Sequence, residues 1–371
     1  MARKIQLSDY GVMRCTRLAS VDPDRTCDAM MKCVPTVEGA EVVERYTCPE
    51  CGAVFENKFP LTGTDVTPAV EVVYDEGKVS GGFFRCGTVK LPVREAVPEL
   101  QAGAYIPNLK FFVYRPEAET LAEAINDGSP VMLQGEAGCG KTQLVEWLAM
   151  QTNTPFIRLA CDESMTADDA KGNYELKDGN TVASLGVVAT AMKEGYWLLV
   201  DENNAMTDAQ RIFWHSVLDE RMLCIPALKE TVHAHADFRI FFAQNPASSG
   251  IYGGTHEDNA AFCDRFDYWV NLDYLPADKE KQVVLNHAPK VKVDVLEKML
   301  KAASEVRNAA SATPRRYDGT FSTRAVMRWA YFAQKWPLKK ATKFALLQRL
   351  AKSDADALLN IIKLHVPEAT R

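Results

Sequence analysis

Residues 135–142 read GEAGCGKT, between the apolar run PVMLQ and the helix-like stretch QLVEWLAM. Gly135, Gly138 and Gly140 let the chain turn so that its N–H groups face inward toward phosphate oxygens. Lys141 then reaches the β- and γ-phosphates, and Thr142 offers its hydroxyl to Mg²⁺. Glu136, Ala137, Cys139 and Gln143 fill the rest of the cradle, and the helix that follows turns its positive end to the same anion. Sixty residues on, YWLLVDENNAM carries Asp201 and Glu202 to the end of an apolar strand. Asp201 suits a Mg²⁺ shell, and Glu202 suits a base that polarises an attacking water. DFRIFFAQNP ends a further strand in the amide of Asn245, able to sense that water and the γ-phosphate; standing alone, it would read as an Asn-Pro turn. Arg265, in AFCDRFDYW, and Arg324, in FSTRAVMRW, add planar, permanently charged guanidinium groups. Such groups suit transition-state charge, although either arginine would equally serve a structural ion pair.

These groups need a scaffold, and the apolar runs describe one. VMLQ, FIRLA, YWLLVD, FRIFFAQN and DYWVNLDYL alternate with helical patterns. Alternation of this kind predicts an α/β domain over 101–275, with a parallel sheet flanked by helices. Thr207-Asp208-Ala209-Gln210 has the form of a capping box opening a helix. Ala209, Phe213 and Val217 predict the face of that helix packed on the sheet. From 276 to 371 the strands give way to apolar residues at three- and four-residue steps, which predicts a helical domain. Residues 1–100 are cysteine-rich, with short alternating runs that predict a small, mainly-β domain. The stretch LPVREAVPELQAGAYIPN, across the end of this zone, has three prolines and no clear periodicity and reads as a linker. No internal repeat or low-complexity segment is present.

In order and spacing, GEAGCGKT, LLVDENNAMTDAQ, FRIFFAQNP, AAFCDRF and FSTRAVMRW resemble the AAA+ ATPases of the MoxR branch, including its CbbQ/NorQ-like and cobalt-chelatase-like members. The resemblance covers residues ~110 to ~335 and implies a P-loop NTPase sheet with a helical lid. It makes Lys141 and Thr142 the Walker A pair and Asp201 and Glu202 Walker B. Asn245 becomes sensor 1, Arg265 the arginine finger and Arg324 sensor 2. It further implies ATP and Mg²⁺ as ligands and a homo-oligomeric ring, commonly a hexamer, in which Arg265 enters a neighbour's site. CIPALKETVHAHADFRI and KGNYELKDGNTVASLG fit the two hairpins that the family turns toward its substrate. His233 and His235 read as ornaments of the first hairpin, since no third metal ligand is evident. One departure stands out: Asn203 is polar where family members often carry Ile.

The chain has 371 residues, 47% of them apolar and 25% charged, a balance suited to globular domains rather than disorder. No apolar run approaches the ~20 residues that span a bilayer, and the N-terminus lacks a secretory pattern. A cytoplasmic protein without membrane contact is therefore expected. The net charge of −6 is uneven: residues 286–371 hold 17 Lys and Arg against 7 Asp and Glu, so the rest carries −16.

Six of the ten cysteines lie in the first 86 residues. CPECGAVF has the turn geometry for two thiolates on one Zn²⁺. No histidine precedes residue 215, so a closed site needs more cysteines. Cys27 and Cys33 are expected to join Cys48 and Cys51, with Cys15 or Cys86 as substitutes and buried free thiols as the alternative. Residues 1–100 carry a net charge of −3, which disfavours phosphate contact and favours protein docking.

The expected function is that of an ATP-hydrolysing ring that remodels or activates a protein client, which the resemblance suggests carries a von Willebrand A domain. Two alternatives stay open: a DNA-directed motor or restriction-type NTPase using the basic C-terminal segment, and the ATPase subunit of a metal chelatase.

Overall fold

The structure is a computed structural model and describes residues 32–38, 41–47, 54–60, 82–97, 99–161, 166–177, 180–246, 260–312 and 320–369. They fall into two compact units, Met1–Gly77 with Leu109–Tyr114, and Lys78–Asn108 with Arg115–Arg371. In the first unit, β1 (Lys32–Glu38), β2 (Glu41–Thr47) and β3 (Val54–Pro60) form an antiparallel sheet in chain order.

The second unit opens with the hairpin of β4 (Phe83–Cys86) and β5 (Val89–Pro92). There follow α1 (Glu117–Asp127), β6 (Val131–Gly135), α2 (Lys141–Gln151), β7 (Phe156–Ala160) and the short α3 (Ala167–Lys171). A hairpin of β8 (Gly172–Lys177) and β9 (Asn180–Leu185) leads to α4 (Val187–Glu194), β10 (Trp197–Asp201) and α5 (Asp208–Asp219). A second hairpin, β11 (Met222–Ile225) and β12 (Glu230–His233), precedes β13 (Arg239–Gln244), α6 (Ala260–Cys263) and β14 (Tyr268–Leu272).

Strands β6, β7, β10, β13 and β14 are the five apolar runs, and they form one parallel sheet in the order β14-β6-β13-β10-β7. A parallel sheet covered by helices on both faces has no solvated side, so its central strands need apolar residues throughout. All five residues of β10 are buried. Because every strand runs the same way, the last residues of β6, β10 and β13 reach the same rim.

Helix α5 starts as expected: the Thr207 side chain accepts from Gln210 N, and Gln210 Oε1 accepts from Thr207 N. Its packed face is turned from the expected one. Trp214, Val217 and Leu218 are buried, Phe213 is half-buried and Ala209 is exposed. Trp214 sets this rotation, its ring meeting Phe242 of β13 edge to face at 5.2 Å. A buried aromatic of this size is worth about 3–5 kcal/mol over alanine, which outweighs a four-residue apolar repeat.

The stretch read as a linker is part of the second unit and is laid against its sheet. Tyr105 exchanges backbone hydrogen bonds with Phe156 (3.0 and 2.8 Å), covering part of the exposed edge of β7. The Tyr105 hydroxyl donates to Glu146 at 2.8 Å, and Arg94 donates to Gly195 O. Hairpin β4–β5 docks the same way, through Phe84 on Trp147 and through Thr88 N on Glu119 Oε1 at 2.7 Å. Residues 82–97, expected within the cysteine-rich domain, group instead with the unit that holds the sheet.

The remaining helices are α7 (Ala277–His287), α8 (Val293–Ser311), α9 (Thr323–Ala333), α10 (Leu338–Thr342) and α11 (Lys352–His365). They share a core of their own around Leu296, Met299, Trp329, Leu346 and Ile362. No described helix is long and apolar enough to cross a membrane.

Candidate functional site

The glycine loop leaves β6 at Gly135 and ends where α2 begins. A Cβ on Gly135 would collide with Leu272 O of β14 and with Cys139 Sγ, so the strand end is held flush against its neighbour. Gly138 and Gly140 adopt φ of 78° and 102°, left-handed conformations that L side chains resist. Cys139 is buried, and burial pushes its thiol pKa up. Glu136 and Ala137 are half-buried, and Gln143 is exposed on the first turn of α2. Two groups unremarked in the sequence brace the loop. Buried Arg115 donates to Cys139 O at 2.8 Å and to Asp273 O at 3.1 Å. The Tyr274 hydroxyl donates to Ala137 O at 3.1 Å.

Lys141 is buried and folds back over the loop. Its ammonium donates to Gly135 O at 2.5 Å, Glu136 O at 3.3 Å and Asn245 Oδ1 at 3.0 Å. Burial lowers its pKa, and the nearby acidic groups of Cys139, Asp201, Glu202 and Glu136 oppose that shift. Asn245 in turn sets its Nδ2 3.5 Å from Glu202 Oε2. The expected lysine, amide and base thus stand in one file along the rim.

Glu202 takes a left-handed backbone (φ 59°, ψ 40°), a conformation costing about 1 kcal/mol or more for a residue with a Cβ. The turn stops β10 sharply and leaves the Glu202 carboxylate exposed beside Asn245. Asp201 is buried, with Oδ2 3.3 Å from Thr142 Oγ1 and Oδ1 accepting from Glu202 N at 3.0 Å. A carboxylate and a hydroxyl at this spacing form a hard-oxygen pair of the kind Mg²⁺ takes. Arg158 of β7 shares the same Oδ2 at 2.7 Å and orients the carboxylate from outside. The signal for Arg158 was present but unread: it is the one charged residue inside the apolar strand FIRLA.

The departure at Asn203 has a partner. Asn203 is fully buried and donates to Gln244 Oε1 at 2.7 Å, and Gln244 Nε2 donates to Gln134 Oε1 at 3.4 Å. Gln134 precedes Gly135, Gln244 precedes Asn245, and Asn203 follows Glu202. Three amides therefore bridge the three strand ends that carry the site. Asn204 adds a bond from Nδ2 to Asn245 O at 3.3 Å.

The two arginines fall at opposite ends of the sheet. Arg324 lies over the loop: a Cβ on Gly138 would sit 3.1 Å from Arg324 Nε and 2.9 Å from Ser322 Cβ. Arg265 precedes β14, whose first residue, Tyr268, pairs with Val131, the first of β6. Gly135 lies four residues further along β6, which at ~3.3 Å per residue is about 13 Å of strand. Arg265 stands at the far rim from its own glycine loop. There it bonds Asp219 at 3.0 Å, beside Asp264 and Asp267 in an open cleft.

The expected zinc ligands Cys27, Cys48 and Cys51, and the substitute Cys15, lie outside the described residues. Cys33 is on β1 opposite Tyr46, and Cys86 is buried at the end of β4 in the second unit. Among the described residues no cluster of three His, Cys, Asp or Glu side chains could hold a metal ion. The hairpin expected within CIPALKETVHAHADFRI is β11–β12; His233 is exposed on its second strand, and His235 lies beyond that strand's end.

Residues 130–266 match the AAA domain of the dynein-related subfamily, and residues 280–365 match the CbbQ/NirQ/NorQ C-terminal domain. Protein CbbQ of Hydrogenophilus thermoluteolus is 30% identical over 193 residues, which are 52% of this chain and 70% of that protein. The chain belongs to the CbbQ/NirQ/NorQ family of AAA ATPases. It is of the MoxR type, and ATP hydrolysis is the activity of its AAA domain. The aerobic cobaltochelatase subunit CobS of Sinorhizobium is 28% identical over 63% of this chain and 75% of its own length. Midasin of Dictyostelium discoideum is 31% identical over 54% of this chain, which spans only 3% of that much longer protein.

Proposed function

We propose that this chain hydrolyses ATP in a homo-oligomeric ring, a hexamer by family resemblance, and uses the cycle to remodel a protein client. The observation that carries the proposal is the meeting of Lys141, Thr142, Asp201, Glu202 and Asn245 at one rim of the sheet, with Arg324 above the loop. In this reading the loop N–H groups and Lys141 grip the β- and γ-phosphates. To do so, Lys141 exchanges its carbonyl partners for phosphate oxygens. Thr142 and Asp201 would hold Mg²⁺, which when bound offsets phosphate charge. Glu202 accepts a proton from the attacking water, and Asn245 aligns that water between the carboxylate and the γ-phosphate. Arg324 meets charge on the γ-phosphate from the lid.

Arg265 is the remaining part. Its seat at the far rim supports a role in the next copy's site, where an arginine finger is worth about 10³ to 10⁵ in turnover. Hairpin β8–β9, with Tyr174, Leu176 and Val182 exposed, supports a protein client. Zinc in the first unit rests on the cysteine spacing alone.

Replacing Glu202 by Gln keeps its size and removes the base. Turnover should fall by about 10² to 10⁴ while ATP affinity, measured by equilibrium titration, stays within a few-fold of native. Undiminished turnover would remove Glu202 from the mechanism.

A further inference from the structure

One chain of contacts leaves the phosphate loop, crosses the lid and returns to the loop. Its first link is the Tyr274 hydroxyl on Ala137 O at 3.1 Å. The Tyr274 ring lies under the Arg307 guanidinium, 3.9 Å from the ring centroid. Arg307 forks onto Glu280, Nη1 to Oε2 at 2.8 Å and Nη2 to Oε1 at 2.6 Å, and its Nε donates to Phe321 O at 2.8 Å. Glu280 is 2% exposed, and its Oε1 also accepts from Thr323 Oγ1 at 2.7 Å. Thr323 opens α9, and the next residue is Arg324, whose Nε stands over Gly138. The contacts close on the residue beside the one where they began.

We infer that Tyr274, Arg307, Glu280 and Thr323 are positioning residues that hold Arg324 over the phosphate loop, so that loop conformation and lid angle change together. Three features carry this. A fork of two parallel hydrogen bonds fixes both distance and plane, which a single contact does not. The second Glu280 bond goes to the first turn of the helix that bears Arg324, not to some other part of the lid. Tyr274, in the connection between β14 and α7, joins a lid guanidinium on its ring face to a loop carbonyl on its hydroxyl, which a purely cohesive lid core does not require. A shift of Ala137 on phosphate binding would therefore be felt at Arg324 through four side chains of fixed geometry.

The inference rests on Arg324 serving the bound nucleotide, and its test separates the two ideas. Removing Glu280 or Arg307 would strand a buried charge and unfold the lid, so the links at either end are the ones to change. Tyr274→Phe keeps the ring and loses the loop contact. Thr323→Val keeps the volume and loses the Glu280 contact, and Thr323→Ser restores that contact. ATP affinity and turnover are measured for each in the full chain, with Arg324 present and with Arg324→Ala.

With Arg324 present, Tyr274→Phe and Thr323→Val should each weaken ATP binding roughly three- to tenfold, the worth of one hydrogen bond, and Thr323→Ser should bind like native. In the Arg324→Ala background the same changes should cost less than about twofold, because what they position is gone. No loss, or equal losses in both backgrounds, overturns the circuit. An Arg324→Ala protein that binds and turns over ATP like native would overturn the role of Arg324, and the circuit with it.

Discussion

Cys139 sits inside the phosphate loop, yet its surroundings make it an inert space-filler. Its sulfur lies 2.8 Å from where a Cβ on Gly135 would sit, its carbonyl is held by Arg115, and burial raises its pKa above the ordinary 9.0. The thiolate is the reactive form, and burial suppresses it. Cys139 should therefore alkylate far more slowly at mildly alkaline pH than exposed Cys224, as peptide mass mapping after a timed maleimide pulse would reveal. Equal rates would mean the loop opens freely on that timescale. Asp201 is a second residue defined by its neighbours. With Arg158 and Thr142 on one oxygen and the Glu202 N–H on the other, its rotamer is set before any ligand arrives. Such preorganisation spares the site a reorganisation cost during binding.

Between elements, the bridge of Gln134, Gln244 and Asn203 sets how the ends of β6, β13 and β10 stand relative to one another. Asn203→Leu, though nearer the family's usual apolar choice, leaves the buried Gln244 Oε1 without its donor. The expected cost is about 1–3 kcal/mol of stability, read from chemical denaturation, with slower turnover and near-native ATP affinity. A stable variant with native turnover would reduce the bridge to incidental contact. The sheet itself was legible, because strands buried on both faces leave continuous apolar runs, and the glycine loop was legible because its partners are its own neighbours. Tyr274 and Arg158 were not, since they act on Ala137 and Asp201, 137 and 43 residues away. The face of α5 was misjudged because a period of four fits Ala209, Phe213 and Val217, whereas burial follows the larger Trp214. Residues 91–108 looked like a linker for want of periodicity, yet Leu91 and Pro92 end a hairpin strand and Tyr105 pairs with an edge strand, neither of which a local pattern encodes.

For the whole molecule, the separation of Arg324 and Arg265 is what the proposed shared site rests on. One guanidinium lies above the chain's own loop, and the other is about 13 Å of strand or more from it, held by Asp219 on α5. On the proposed reading, a single copy has the grip and the base and takes the remaining charge from the Arg265 of its neighbour. The uneven charge, +10 over residues 286–371 against −16 elsewhere, favours contact between the lid of one copy and the body of another. Activity should then belong to interfaces and not to chains. Lys141→Ala and Arg265→Ala proteins, each nearly inactive alone, are to be mixed under conditions where light scattering shows that they co-assemble, and phosphate release is to be followed. The composite site predicts that the mixture regains a substantial fraction of native turnover, because some interfaces pair an intact Lys141 with an intact Arg265. A co-assembled mixture as inactive as its parents, or an Arg265→Ala protein as active as native, would contradict it.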